Sequence, residues 1–185
     1  MPNHRFIIRA MTRQHVDFAI DWAAAEGWNP GLTDADCFHV ADPDGFLIGV
    51  LDEEPIAALS AVRYGDRRQF LQCWIAPPHR IALGIQHQGQ FVGYGVLRAC
   101  RSGFKIGPLF ADRAEWAETL FLALKAQAPA GAPLYLDIPE VNPAAVALAE
   151  RHGMTVVFET ARMYRGQVPE LPISRLFGVT SFELG

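Results

Sequence analysis

No apolar run in this chain is long enough to span a bilayer, and the start Met1-Pro2-Asn3-His4-Arg5 lacks the apolar stretch of a secretion signal. These absences predict a soluble, cytoplasmic protein. Positive charge is scarce as well. The net charge is −4 and Arg67-Arg68 is the one adjacent basic pair, so no stripe exists to neutralise the phosphates of a nucleic acid. Cysteine is sparse: Cys37, Cys73 and Cys100 lie far apart in the sequence, without a C-x-x-C spacing. That pattern excludes a disulfide framework and predicts small buried thiols in a reducing compartment. The six histidines form no H-E-x-x-H or comparable cluster, so no metal site is inferred.

What is present is core material. Half of the 185 residues are apolar and 19% are charged, which fits one domain or two small ones sharing a core. The β-branched and aromatic run Phe6-Ile7-Ile8 reads as a strand. Thr12 then caps a helix whose Val16, Ala19, Ile20 and Ala23 recur at helical spacing, ending at Gly27. A turn-rich loop, Trp28-Asn29-Pro30-Gly31, follows. Thr33 with Asp36 reads as a capping box for a shorter helix that Pro43 stops. Strands Gly45–Leu51 and Ile56–Tyr64 join across Asp52-Glu53-Glu54-Pro55.

The pattern then recurs. Asp66 and Gln69 open a helix bearing Phe70, Leu71, Trp74 and Ile75, which Pro77-Pro78 ends. Strands Ile81–Gln86 and Phe91–Ala99 pair across His87-Gln88-Gly89-Gln90. Displacing one unit onto the other matches Ala41 with Ala76, Pro43 with Pro78, Gly49 with Gly84 and Arg63 with Arg98. The order of elements predicts a duplicated helix–hairpin unit.

Residues 103–166 read strand, loop, helix, strand, helix, strand. Phe104–Phe110 leads into a helix starting at Asp112, with Trp116, Leu120, Phe121 and Leu124 on one face. Pro133–Ile138 reads as a buried strand. Asn142 as cap, Pro143 at the first helical position and Gly153 past the end define the second helix. Ile106-Gly107-Pro108-Leu109-Phe110 resembles the Val-x-Pro-x-Tyr strand of the GNAT superfamily of N-acyltransferases. Asn142, Ala145, Leu148, Glu150, Gly153 and Met154 resemble its Asn-x-x-Ala-x-x-Leu-Tyr-Glu-x-x-Gly-Phe helix. The segment Arg175–Gly185 is similar to the ends of tandem GNAT proteins.

That resemblance implies a mixed α+β (α/β) fold, with a mostly antiparallel central sheet flanked by helices. It divides the chain into an N-terminal GNAT-like half, 1–65, and a C-terminal GNAT-like domain, 66–185. Pro108 cannot donate to a sheet ladder, so its strand should part from its neighbour there. In the superfamily the parting admits the pantetheine arm of acetyl-CoA. The cofactor contacts so implied are Ile106, Gly107, Leu109, Phe110, Ala111, Asp112, Arg113, Ala114 and Asn142. Ala111 and Asp112 replace the family's Arg and Gly in the pyrophosphate loop. Asp112 with Glu115 reads as a capping pair whose carboxylates would compete with a pyrophosphate for the helix amides, with Arg113 and Lys105 as compensating charge.

Direct attack by an amine requires a carboxylate to take its proton. Asp137, Glu140 and Glu159 are the candidates, with Glu140 first and Glu159 placed on the strand after the second helix. A solvated or capping role stays open for each. Ala149 stands where many family members carry a tyrosine that protonates the departing thiolate. Trp22, Glu26, Trp28 and Asn29 sit where GNAT proteins hold their acceptor, and aromatic walls with one carboxylate suit a small amine. The resulting expectation is an N-acetyltransferase using acetyl-CoA on a small-molecule amine, with no nucleic-acid or membrane partner. A silent GNAT-fold binding or dimerisation module, and a homodimer that completes an open sheet edge, are the alternatives.

Overall fold

The structure is a computed structural model describing residues 5–63, 73–75 and 80–182. The chain forms two compact units that divide at Pro77/Pro78, later than the 65/66 boundary read from the sequence. The helix expected from Asp66 lies mostly outside the described residues, with 73–75 helical. Among the described residues no helix is long and apolar enough to cross a membrane.

The first unit carries an antiparallel sheet in the order β1-β2-β3, from β1 (Phe6–Ala10), β2 (Phe46–Leu51) and β3 (Glu54–Ser60). Central β2 buries Phe46, Ile48 and Val50, the period-two face of a half-buried strand. Helix α1 (Arg13–Ala25) begins as expected at Thr12. The Thr12 hydroxyl accepts from the His15 amide, and the His15 ring accepts from the Thr12 amide at 3.0 Å. Gly27, at φ +93°, takes the left-handed position past the helix end.

Helix α2 (Asp34–Ala41) corrects one expectation. Thr33 lies at φ −120°, ψ 14°, outside the extended region a capping side chain needs, and makes no cap hydrogen bond. Asp34 accepts instead from the Gly31 amide at 2.9 Å, and Asp36 turns outward to the Arg13 guanidinium at 2.6 Å.

The second unit is a five-stranded sheet: β4 (Arg80–His87), β5 (Gln90–Ala99), β6 (Phe104–Ala111) and β7 (Leu134–Leu136) in order, with β8 (Leu176–Gly178) on β6. Pairing is antiparallel except between β6 and β7, which run parallel. Helix α3 (Ala114–Lys125) lays Ala117, Leu120, Phe121 and Leu124 on the sheet. Helix α4 (Pro143–Arg151) adds Ala145 and Leu148, and β8 adds Phe177. Each large side chain so buried stabilises by roughly 1.5–3 kcal/mol.

The β2–β3 and β4–β5 hairpins, one from each unit, close the same way. Asp52-Glu53 and Gln88-Gly89 are two-residue turns with positive φ at both positions. In each, the register slips by one residue just before the turn, at Gly49/Val50 in β2 and Ile85/Gln86 in β4. The first turn is thus shorter than expected. Glu54 and Pro55 belong to β3, where an edge strand and a bulge tolerate proline.

A further correction concerns residues 154–172, which have no regular secondary structure, so Glu159 is not on a strand. Val156 and Val157 are more than 70% exposed. The chain returns to the sheet only at Leu176–Gly178, which takes the edge of β6 instead.

Helices α3 and α4 are clamped by Glu118, whose carboxylate meets Arg151 at 2.9 Å and the His152 ring at 3.3 Å. The Arg151 hydrogen bond holds the Glu118 carboxyl below its ordinary value, against an opposing desolvation. A carboxylate depressed in the folded state stabilises above its unfolded pKa, and that stabilisation disappears as pH falls through the folded value. Glu118→Gln is therefore expected to lower Tm at neutral pH. In a pH series of thermal melts the difference from wild type should shrink as pH falls below about 4.

Candidate functional site

Strand β6 alternates side chains until Ile106, then parts from β7. The two strands pair at Phe104↔Leu134, Lys105↔Tyr135 and Ile106↔Leu136, and no further. Pro108, with no N–H to offer, lies just past the divergence. The expected wedge therefore forms.

It is filled by the chain itself. Strand β8 runs antiparallel to β6 in the gap, Leu109 opposite Gly178 and Phe110 opposite Leu176. On the other side the Val179 amide donates to the Asp137 carbonyl at 2.8 Å, so the segment bridges both walls. Two glycines make room for it. A Cβ on Gly107 would stand 2.5 Å from the Val179 carbonyl oxygen, and one on Gly178 2.8 Å from Leu136. Buried Arg98 donates to the Thr180 carbonyl at 3.0 Å. Asn142, 3% exposed, accepts from the Ala144 amide and donates to the Ile173 and Leu176 carbonyls at 3.1 and 2.8 Å. The residue read as a cofactor contact thus holds the C-terminal segment.

The loop at the mouth of the wedge differs from the expected capping pair. Helix α3 starts at Ala114, with Arg113 at its cap position and no side-chain cap hydrogen bond. Asp112 is still sheet-like, its amide donating to the Val92 carbonyl at 2.8 Å, and its carboxylate pairs with Arg175. The α3 amides are therefore not taken by Asp112. A helix N-terminus of this kind suits an anion. Exposed Arg113 lies over the Trp116 ring at 5.0 Å. Lys105 cannot serve the loop, because it lies at the other end of β6, about 20 Å along the strand. Nearby, Tyr94 stacks on Phe110, and burial raises its phenol pKa.

The carboxylate candidates separate. Asp137 is partly buried beside β7, and its Oδ2 accepts from Lys105 Nζ at 2.8 Å. That carboxylate is already engaged by a buried ammonium. Glu140 is exposed on the turn preceding Asn142, and Glu159 is exposed in the irregular segment. Ala149 lies half-buried on α4. The acceptor candidates belong to the first unit: Trp22 is 37% exposed on α1, Glu26 ends that helix, and Trp28 and Asn29 are half-buried in the loop. Reading the sequence missed Arg98, Arg175 and Leu176–Thr180 as site residues. The short run Leu176-Phe177-Gly178-Val179-Thr180, apolar and β-branched, was the available signal.

Known proteins show the same ground plan. Residues 56–178 match the acetyltransferase (GNAT) domain family. With well over half its length matched, the chain belongs to the GNAT acetyltransferase family. A holothin acyltransferase from Pseudoalteromonas sp. (strain SANK 73390) is 20% identical over 263 residues, covering 89% of this chain and 90% of the relative. That alignment exceeds the 185 residues of this chain, so the relative carries residues without a counterpart here. A crystal structure from Pyrococcus horikoshii, provisionally described as an acetyltransferase, gives a TM-score of 0.62 at 19% identity, covering 97% of this chain and 96% of that one. This last likeness is one of fold. Among the described residues no group of three His, Cys, Asp or Glu side chains could hold a metal ion.

The Lys105–Asp137 pair yields a stability prediction. Asp137→Asn removes the negative charge that faces the buried Lys105 ammonium and should destabilise by about 3–5 kcal/mol in denaturant titration. The double variant Lys105→Met/Asp137→Leu should recover most of that loss.

Proposed function

We propose that this GNAT protein is an acyl-CoA-dependent N-acyltransferase acting on a small amine. The observation that carries the reading is the parting of β6 from β7 beside the uncapped N-terminus of α3. The name of the Pseudoalteromonas relative, which denotes acyl transfer to holothin, supports acyl transfer to a small molecule. In the proposed reaction a neutral amine attacks the thioester carbonyl. The N–C bond forms, the C–S bond breaks and the thiolate leaves with the electron pair. A carboxylate removes the amine proton, and exposed Glu140 fits that role better than paired Asp137. With Ala149 at the tyrosine position, the thiolate departs without a proton from that side chain. The acceptor residues proposed from the resemblance, Trp22, Glu26, Trp28 and Asn29, all belong to the first unit, and the cytoplasm is the proposed compartment.

With residues 176–180 in the wedge, a pantetheine arm alongside Gly107 would meet the Val179 and Thr180 carbonyls. Binding of acetyl-CoA in this reading requires displacement of β8. The exchange opens at the exposed Asp112–Arg175 pair and frees Arg175 for the phosphates. A second reading, a silent GNAT-fold module, draws on the same strand: Phe177 is 1% exposed and part of the core, which resists displacement.

Calorimetry with acetyl-CoA separates the two. The enzyme reading expects weak binding that strengthens several-fold in Asp112→Gly, together with acetyl transfer to a panel of small amines that falls in Glu140→Gln. Absence of binding and of any thermal shift in wild type and Asp112→Gly alike would establish the silent module. Low-micromolar binding insensitive to Asp112→Gly would remove the proposed competition at the loop.

The reading extends to a homodimer. Strand β3 is an edge exposed along its whole length, with Ile56 and Leu59 over 50% exposed, and a second copy is its proposed cover. Light scattering should give twice the chain mass, and Leu59→Lys should return the monomer.

A further inference from the structure

The three thiols read as isolated along the sequence are not all isolated in space. Cys37 on α2 and Cys73 in the helical residues 73–75 bring their sulfurs to 2.8 Å. A disulfide bond is about 2.05 Å long, so the pair stands within roughly 1 Å of bonding distance. Adjacent side chains keep the two segments from turning apart. Phe38 and Trp74 stack at 6.0 Å with an interplanar angle of 17°, and both are buried. Residues next to each other in sequence thus meet their opposite numbers side by side, Cys37 with Cys73 and Phe38 with Trp74.

Access is unequal. Cys37 is fully buried, whereas Cys73 is partly exposed. Cys100 is buried in the second unit, so it is not part of this pair. Among the described residues no third ligand completes a metal site with the two sulfurs. Chemistry between the two thiols themselves is what the arrangement allows.

We propose that Cys37 and Cys73 form a reversible redox pair, oxidised by a hydroperoxide to an intramolecular disulfide. Cys73 gives up its proton and its sulfur attacks the peroxide oxygen; the O–O bond breaks, Cys73 becomes a sulfenic acid, and the departing hydroxide takes up that proton as water. The Cys37 sulfur then attacks Cys73 Sγ, the S–O bond breaks, and hydroxide leaves as a second water with the Cys37 proton. Two thiols are oxidised by two electrons and one peroxide is reduced. A small dithiol reverses the step by exchange. The bond closes a long loop that ties α2 to the helical segment of the next helix–hairpin unit, which restricts the unfolded chain.

The experiment treats the purified full-length chain with hydrogen peroxide and maps its peptides without reduction. The expected result is a loss of about two mass units, one cross-linked peptide joining Cys37 to Cys73, restoration by dithiothreitol, and a Tm higher by roughly 5 °C in the oxidised form. Cys73→Ser should abolish both the mass loss and the Tm rise. Cys37→Ser alters a buried position and could fold poorly, so Cys73→Ser and the Cys100→Ser control carry the test. Overoxidation of Cys73 without cross-linking, a cross-link involving Cys100, or three thiols still free after treatment would each overturn the proposal. None of these outcomes depends on acyl transfer.

Discussion

The backbone edge of β6 beyond Ile106 is the constraint on which the second unit turns. Once β7 leaves, the amides and carbonyls of Gly107–Ala111 face a gap, and buried backbone polar groups must find partners. The chain meets that demand with its own residues 176–179, held by Asn142, Arg98 and Arg175. The wedge, Gly107 at its floor and Asn142 at its side each contact β8 or the residues beside it.

The repeated helix–hairpin shows how similar sequences reach similar backbones from different residues. Asp52-Glu53 and Gln88-Gly89 share a left-handed turn, although only the second contains glycine. The register slip before each turn, at Gly49/Val50 and Ile85/Gln86, relates the two hairpins by 36 residues, one more than the spacing of the matched residues Gly49 and Gly84. Single identities such as Gly49 with Gly84 carry less weight than that shared irregularity. Cys37 and Phe38 meet Cys73 and Trp74 at that same spacing of 36 residues.

Much of the fold was legible because the signals were local. Neutral caps behaved as read: Thr12 opens α1, and Asn142 with Pro143 opens α4. The acidic pairs did not. Thr33/Asp36 and Asp112/Glu115 both looked like capping boxes, and in both the carboxylate went to a distant arginine, Arg13 or Arg175. A charge-assisted hydrogen bond to a guanidinium is stronger than a local cap, and sequence spacing does not reveal where the guanidinium will be. The filling of the gap was not legible for a related reason. Occupancy of the gap by Leu176–Gly178 depends on a pairing with β6 far away in sequence, and the intervening irregular segment 154–172 hides the return.

That long detour bears on how the protein is born. A ribosome delivers β6, α3, β7 and α4 well before residues 176–178, so the nascent sheet must wait with one flank bare. During that interval the unpaired flank is open to any extended peptide nearby, until Leu176–Gly178 arrives to pair with it.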